Sequence, residues 1–325
     1  MQNFWKELHK PILGLAPMAD VTDPAFREII ATYGKPDVFW TEFVAADGLY
    51  HTREVVKMKD NENPLMKDLR FGEKERPIVA QVFTNNIKNI KYVAKLILEL
   101  GFDGIDINMG CPHRAIEKQG AGAALIKNPD LAVELIRAVR AVIHGHMPLS
   151  IKTRIGYNKN ELETWIPLLL KEKPDALTLH ARTRKDMSKV PARWEHVKRT
   201  VELRNIHSPE TIIIGNGDVK SVTEAHERAR ESGADGVMVG RGIFGNPWFF
   251  SESVPTLKEK MSVLIEHCKL FDIYCAHKNF AVMKKHFKAY TADFKGAKEL
   301  RMKLMECNST QDVENIINSY AFDTK

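Results

Sequence analysis

The most constraining feature of this chain is an alternation. Eight short β-rich runs (12–15, 38–41, 78–83, 104–108, 149–154, 176–180, 211–215 and 236–239) each lead through a polar or glycine-containing turn into a helical pattern. Several runs are almost wholly apolar, as strands covered on both faces must be. Helical stretches fall between them, among them 24–33, 87–100, 129–143, 161–171 and 221–232. Pro24 and Pro129 occupy first-turn positions, with Asp23 and Asn128 before them as N-caps. Eight strands alternating with helices predict an α/β fold, a (β/α)8 barrel of TIM type. The competing arrangement is a doubly wound open sheet, whose dinucleotide-binding form needs a G-x-G-x-x-G that does not follow the first strand.

After Pro255 the β signals stop. Residues 256–277, 280–293, 297–306 and 310–320 read as helices, with Gly296 and Asn308 as helix stops. The expected division is a catalytic barrel over 1–253 and a small helical domain over 254–325. Charge marks the second part. The chain has 48 Lys and Arg against 42 Asp and Glu, a formal +6. Residues 278–303 hold Lys278, Lys284, Lys285, Lys288, Lys295, Lys298, Arg301 and Lys303 against only Asp293 and Glu299, so the whole excess lies there. A solvated helix face is the usual account of a charge run, but this imbalance points to a polyanionic partner.

The four cysteines, Cys111, Cys268, Cys275 and Cys307, form no C-x-x-C pair, so no metal or iron–sulfur site is expected and a reducing, cytoplasmic setting fits. No apolar run approaches the ~18 residues a membrane-spanning helix needs. The apolar run 11–19 is preceded by Glu7 and His9 and followed by Asp20, which does not suit a signal peptide. A monomer is expected. Trp5, Trp40, Trp165 and Trp248 read as packing residues, while nothing decides Trp194.

In such a barrel the reactive groups gather at the C-terminal strand ends. Seven of the eight ends carry polar or glycine positions: Ala16-Pro17-Met18, Gln81, the stretch from Asn108 to Pro112, Lys152 with Arg154, His180 with Arg182, the stretch from Gly215 to Asp218, and Gly240-Arg241-Gly242. The last two are where barrels hold phosphate, on backbone N–H groups and a helix N-terminus. Lys152 sits on an apolar strand and needs a counter-charge. Either an anionic reduced flavin or an ion pair with a barrel acid such as Asp106 would supply one. Cys111, between glycine and proline at a strand end, suits an acid or nucleophile, although most free cysteines are small buried hydrophobes. His180 is a flavin-carbonyl donor or a satisfied core histidine.

Six blocks resemble the dihydrouridine synthase family of flavoenzymes, in family order: APMADVTDPAFR (16–27), DINMGCPHRAIEKQGAGAALI (106–126), SIKTRIGYN (150–158), LHARTR (179–184), IIGNGDV (213–219) and GADGVMVGRGIFGNPW (233–248). MKKHFKAY (283–290) is similar to the start of the family's helical C-terminal domain. The resemblance implies an FMN-binding TIM barrel with a helical domain that grips tRNA. Pro17, Met18, Ala19 and Gln81 would contact the flavin ring, and Lys152 and His180 would complete its polar edge. Asn216, Gly217, Asp218, Gly240 and Arg241 would hold the ribityl chain and phosphate. Cys111 matches the general acid, Asn108 a residue that orients uracil, and Arg182 a substrate-pocket position.

The implied reaction reduces the 5,6 double bond of a flipped-out uridine, with NADPH or NADH reducing FMN, hydride passing from the flavin N5 to C6 and a proton passing from Cys111 to C5. Lys284, Lys285, Lys288, Lys295, Lys298 and Arg301 would track phosphates, and Arg114, Lys118 and Lys189 would add contacts. Two departures stand out. Asp20 replaces a frequent glycine, and Ser188 and Val190 replace a tyrosine and a glycine on the substrate side. Ribosomal RNA, a free small molecule, or RNA binding without flavin are the alternatives to tRNA reduction.

Overall fold

The structure, a computed structural model, describes residues 3–292 and 294–320. Its parallel strands are β1 (Ile12–Leu15), β2 (Phe39–Trp40), β3 (Val44–Ala45), β4 (Ile78–Phe83), β5 (Gly104–Met109), β6 (Leu149–Arg154), β7 (Ala176–His180), β8 (Ile212–Asn216) and β9 (Gly236–Val239). Neighbours run β1-β9-β8-β7-β6-β5-β4-β2, with β3 also beside β4. A parallel bridge between Gly14 and Val38 brings the two ends together, and the Leu15 amide donates to the Val38 carbonyl at 3.1 Å. The sheet is therefore a (β/α)8 barrel in which β2 and β3 are two pieces of one stave. The open-sheet alternative is excluded.

The broken stave has a local cause. The Gln81 amide of β4 donates to the Thr41 hydroxyl at 3.1 Å, and that hydroxyl donates to the Glu42 carbonyl at 2.8 Å. A side chain replaces a ladder carbonyl, so pairing stops and resumes only at Val44. The expected strand 38–41 is thus shortened; Phe43 comes to line the cavity at the strand ends, and Glu42 is buried against the Asp20 amide and Lys278.

Expected helices form at Pro24–Tyr33, Ile87–Glu99, Pro129–Ile143, Leu162–Lys171 and Val222–Ser232. Asp23 caps the first, accepting from the Phe26 amide at 3.0 Å, and Asn128 caps the third, accepting from the Leu131 amide at 3.4 Å. Short helices at Ala46–Tyr50, Pro64–Asp68 and Arg114–Lys118, and the polar helix Glu195–His207, carry little periodic signal.

Beyond the barrel the chain is helical: Leu257–Tyr274, Lys284–Tyr290, Ala297–Glu306 and Thr310–Ser319. The first ends before the expected 277, because the chain turns at Cys275. Gly296 begins a helix rather than stopping one; its φ of 86° places it in the left-handed region as the N-cap of Ala297–Glu306. Asp293 lies outside the described residues. Among the described residues no helix is long and apolar enough to cross a membrane.

The helix Leu257–Tyr274 lies against Pro24–Tyr33 through an apolar seam. Phe26 stacks on His267 with ring centroids 5.2 Å apart and meets His286 at 4.6 Å. Both imidazoles are fully buried, and neither ring has a hydrogen-bond partner among the described residues. Burial pushes both pKa values down, that of His286 to about 3. A polar clamp flanks the seam: Lys278 reaches Glu42 at 2.6 Å and Asp68 at 3.1 Å, and the Tyr33 hydroxyl donates to Glu266 at 2.5 Å.

The two histidines make the seam sensitive to acid. They stay neutral when folded but protonate below about pH 6.5 when unfolded, so each subtracts about 1.4 kcal/mol of stability per pH unit below that point. Glu42, whose carboxyl is pushed up to about 7 by burial, works in the opposite sense. Comparing a His286→Leu variant with the parent isolates the imidazole. The difference in Tm is expected to shift in the variant's favour between pH 8 and pH 5.5, read by thermal melts; a difference independent of pH contradicts the account.

Candidate active site

A cavity of about 500 Å³ opens at the C-terminal ends of the strands, and every stave contributes to its wall. Pro17 and Met18 follow β1, and Gln81 rises from β4. Asn108 and Cys111 stand at the end of β5, Lys152 on β6, and His180 and Arg182 at the end of β7. Asn216, Gly217 and Asp218 follow from β8, and Gly240 and Arg241 from β9. Ala19 is the exception among the residues expected around a flavin: it is exposed and does not line the cavity.

Phe43, Arg154, Lys220 and Gly242 line it as well. Arg154 and Gly242 were among the strand-end positions the sequence singled out, Arg154 lying two residues after Lys152 on one strand and so facing the same way. Phe43 was not, because the break in its stave carries no sequence signal.

The cavity floor holds positive charge taken out of water. The Lys152 ammonium donates to the neutral Asn216 Oδ1 at 3.1 Å. No carboxylate among the described residues lies within ion-pair distance of it or of Arg154. The ion pair with Asp106 is not formed, since that carboxylate accepts from Gln81 Nε2 and Ser150 Oγ, each at 2.6 Å. Burial, followed by the repulsion of Arg154, pushes the Lys152 pKa down to about 8. Burial likewise takes Arg154 down to about 10. The same cations, added to its own burial, hold the His180 pKa well below the usual imidazole value. His180 is therefore neutral, with Nε2 accepting from Arg182 Nη1 at 3.1 Å. Buried cations without a counter-ion are costly, so this floor is built for an anion.

Asp218 ties the next wall together. It pairs with Arg182, accepts from the Ala192 amide at 2.9 Å and pairs with Arg241 at 2.7 Å. Burial opposes the charge, but Arg182 and the Ala192 amide hold the carboxyl below its usual range. Arg182, expected to face substrate, has its guanidinium engaged by Asp218, His180 and the Val190 carbonyl. Any side chain at Gly242 would overlap the Val219 carbonyl, so the two glycine loops touch. Trp194 is buried, lies on Gly215 and donates to the Gly217 carbonyl at 3.0 Å. It is a support for the phosphate-type loop, which its sequence context did not reveal.

Cys111 is half-buried, unlike Cys268, Cys275 and Cys307, which are buried. Its amide and that of Gly110 donate to Asn108 Oδ1 at 2.9 and 3.1 Å. Arg154 Nε donates to the Gly110 carbonyl at 2.6 Å and grips the Thr183 and Met187 carbonyls at 3.2 Å, joining the cysteine loop to the loop that carries Ser188. Burial raises the Cys111 pKa despite a backbone hydrogen bond from His113 and the nearby Arg154 and Lys152. The group is a thiol at neutral pH, a form that can give up a proton.

The remaining basic candidates lie outside the cavity. Arg114 and Lys118 are exposed on the short helix after the cysteine loop. Lys285, Lys288, Lys295 and Lys298 are exposed on the C-terminal helical part, and Lys284 and Arg301 are half-buried there. Lys278 is drawn away from the exposed basic face by its buried ion pairs with Glu42 and Asp68. Lys285 reaches Asp20 at 3.4 Å, which puts the basic face beside the barrel rim. Asp20 itself has φ of 53°, a left-handed position that suits glycine and that aspartate tolerates. Val190 is exposed, and Ser188 lines the cavity.

A closed parallel barrel with a cationic cavity and a thiol at its strand ends defines a class of barrel enzymes. A sequence model of the dihydrouridine synthase (Dus) family matches residues 14–324, and the chain belongs to that family. It is 38% identical to the "Probable tRNA-dihydrouridine synthase 2" of Bacillus subtilis (strain 168), over 98% of this chain and 97% of that one. It is 36% identical to the "Probable tRNA-dihydrouridine synthase" of Staphylococcus aureus (strain MRSA252), over 98% and 96%. Among solved structures, histamine dehydrogenase from Rhizobium sp. 4-9 superposes with a TM-score of 0.54 at 14% identity, covering 79% of this chain and 48% of that one, a likeness of fold.

The thiol assignment predicts reactivity. Alkylation of the folded protein by iodoacetamide, followed by mass spectrometry, is expected to label Cys111 first, slowly at pH 7 and faster as pH rises past 9. Rapid labelling at pH 7 indicates a thiolate and contradicts it.

Proposed function

We propose that this protein reduces specific uridines of tRNA to dihydrouridine, with FMN bound in the barrel cavity. The observation that carries the reading is the pair of buried cations, Lys152 and Arg154, facing a cavity with a half-buried thiol on its wall. Its volume of about 500 Å³ falls within the range of small-molecule sites. A flavin bound there supplies one chemistry: hydride transfer from its N5 to C6 of uracil, with NADPH or NADH as electron donor.

The chain's own residues do the rest. Lys152, Gln81 and neutral His180 offer donors to the polar edge of the ring, and Pro17 and Met18 form an apolar wall. Asn216, Gly217, Gly240 and Arg241 serve the phosphate end. Asp218 orients Arg241 and keeps it from swinging away. As charge develops on the uracil O4, Asn108 and Arg154 are the nearby donors that stabilise it. Cys111 delivers its thiol proton to C5, which completes the addition of one hydride and one proton across the double bond. A thiolate could not do so, and burial supplies the raised pKa the step needs.

The exposed lysines beside the rim give the RNA a phosphate track, which a reductase of a free small molecule does not need. A barrel over 1–253 for chemistry and a helical domain over 254–325 for RNA is the corresponding division of labour. A soluble cytoplasmic monomer fits this role.

Three variants test the reading. Cys111→Ala is expected to be isolated yellow, with FMN identified after denaturation, yet to be slower in RNA reduction by about 10²-fold or more. Lys152→Met is expected to lose most of its flavin while remaining folded by circular dichroism. A Lys288→Glu, Lys298→Glu double variant is expected to bind tRNA more weakly and to flatten the salt dependence by about two phosphate contacts. The modified positions are read by mapping dihydrouridine in RNA from cells with and without the gene. A colourless parent protein, or unchanged RNA, refutes the assignment.

A further inference from the structure

The cavity floor contains a carboxylate that does not line it. Asp106 is fully buried on β5, and its strand neighbours in register are Gln81 on β4 and Ser150 on β6. A continuous chain of hydrogen bonds leads from it to the reactive cysteine. Gln81 Nε2 donates to Asp106 Oδ2 at 2.6 Å. Asn108 Nδ2 donates to Gln81 Oε1 at 2.8 Å. The amides of Gly110 and Cys111 donate to Asn108 Oδ1 at 3.1 and 2.9 Å. Ser150 Oγ donates to the other carboxylate oxygen at 2.6 Å.

The direction of this chain is imposed from both ends. Backbone N–H groups can only donate, and an ionised carboxylate can only accept. Two primary amides in series between them then have one orientation each. Turning over either one sets oxygen against oxygen, or N–H against N–H, between buried groups. With both amide oxygens engaged inside the relay, Gln81 and Asn108 each keep a single amide N–H for the cavity they line. That surface then presents donors to carbonyl oxygens and no side-chain oxygen that would repel them.

We propose that Asp106 is a positioning residue for the reaction: its negative charge sets the polarity of the Gln81–Asn108 relay and so holds the Cys111 loop and the donors of the cavity floor in their working orientation. The inference rests on the reading of Cys111 as proton donor to a uracil. It adds a residue that touches neither substrate nor flavin and acts through two side chains that do.

Burial raises the Asp106 pKa to about 6, moderated first by the Ser150 hydrogen bond and then by Gln81 and the charge of Lys152. These, with the Trp40 indole on β2, are the polar groups facing it from the elements packed around it. When protonated, Asp106 can donate to the Gln81 oxygen, and the relay loses its single direction. Turnover is therefore expected to fall as pH drops through about 6, where the carboxylate is lost. Removing the Ser150 hydroxyl takes away a group that favours the charged form, so that acid limb moves to higher pH.

The test compares the parent, Asp106→Asn and Ser150→Ala in single-turnover reduction of tRNA by protein loaded with FMN and pre-reduced with NADPH. Cys111 alkylation of the same proteins without RNA gives a second readout. For Asp106→Asn the expected result is retained flavin, a half-saturating RNA concentration within about twofold of the parent, a maximal single-turnover rate lower by about 10- to 100-fold, loss of the acid limb near pH 6, and faster alkylation of Cys111. For Ser150→Ala the expected result is a near-parental rate at pH 8 with the acid limb displaced upward. A parental rate, pH profile and alkylation rate in Asp106→Asn overturn the proposal while leaving the function intact. A parent that neither binds flavin nor reduces RNA overturns the functional reading instead. Should Asp106→Asn not fold, the Ser150→Ala profile decides alone, and an unmoved acid limb counts against the relay.

Discussion

Two cations on one strand, Lys152 and Arg154, are removed from water with no carboxylate among the described residues to receive them, and the cavity takes its character from that imbalance. Asp106, a fully buried acid on the neighbouring strand, faces other partners in the layer below. Burial, with the positive field added to it, keeps His180 neutral, so its Nε2 acts as an acceptor for Arg182. It also draws the Cys111 pKa back toward neutrality, but burial prevails and the thiol keeps its proton. The cations thus prepare the floor for an anion, while burial keeps the thiol beside it protonated.

Rigidity of the parallel barrel makes such an arrangement sustainable. Register fixes which residues share a layer: Gln81, Asp106 and Ser150 in one, Asn108 and Lys152 in the next. Neutral amides between the layers separate the carboxylate from the ammonium while keeping both hydrogen-bonded. Loops complete the frame through shared partners. Arg154 bridges the cysteine loop to the Met187 segment, and Asp218 bridges Arg182 to Arg241. These contacts use backbone carbonyls and paired charges, which hold direction better than apolar contact alone.

The helical part is joined to the same frame at the barrel rim. Glu42, in the break between β2 and β3, accepts from the Asp20 amide at 2.5 Å and from Lys278 at 2.6 Å. One side chain thereby connects the loop after Met18, the second stave and the C-terminal helices. The seam below it is largely apolar and holds the rings of His267 and His286, which have no hydrogen-bond partner among the described residues. The basic face is consequently held at a set distance from the cavity rather than on a loose tether.

The strand–helix alternation, the caps at Asp23 and Asn128, and the polar strand ends were all legible in the chain, because period and local hydrogen bonding are written residue by residue. So was most of the cavity wall, from Pro17 through Arg241, since barrel geometry sends those positions to one mouth. Three-dimensional packing decided the rest. It left Ala19 outside, buried Trp194 against Gly215, and withdrew Lys278 from the basic face into an ion pair. It also broke the second stave at Thr41 and directed Asp106 toward Gln81 rather than Lys152. The physical reason is the range of the interaction: periodicity and capping act over a few residues. Which charge meets which amide across 25 residues of sequence, or 236, is settled only when the strands close and the helices dock.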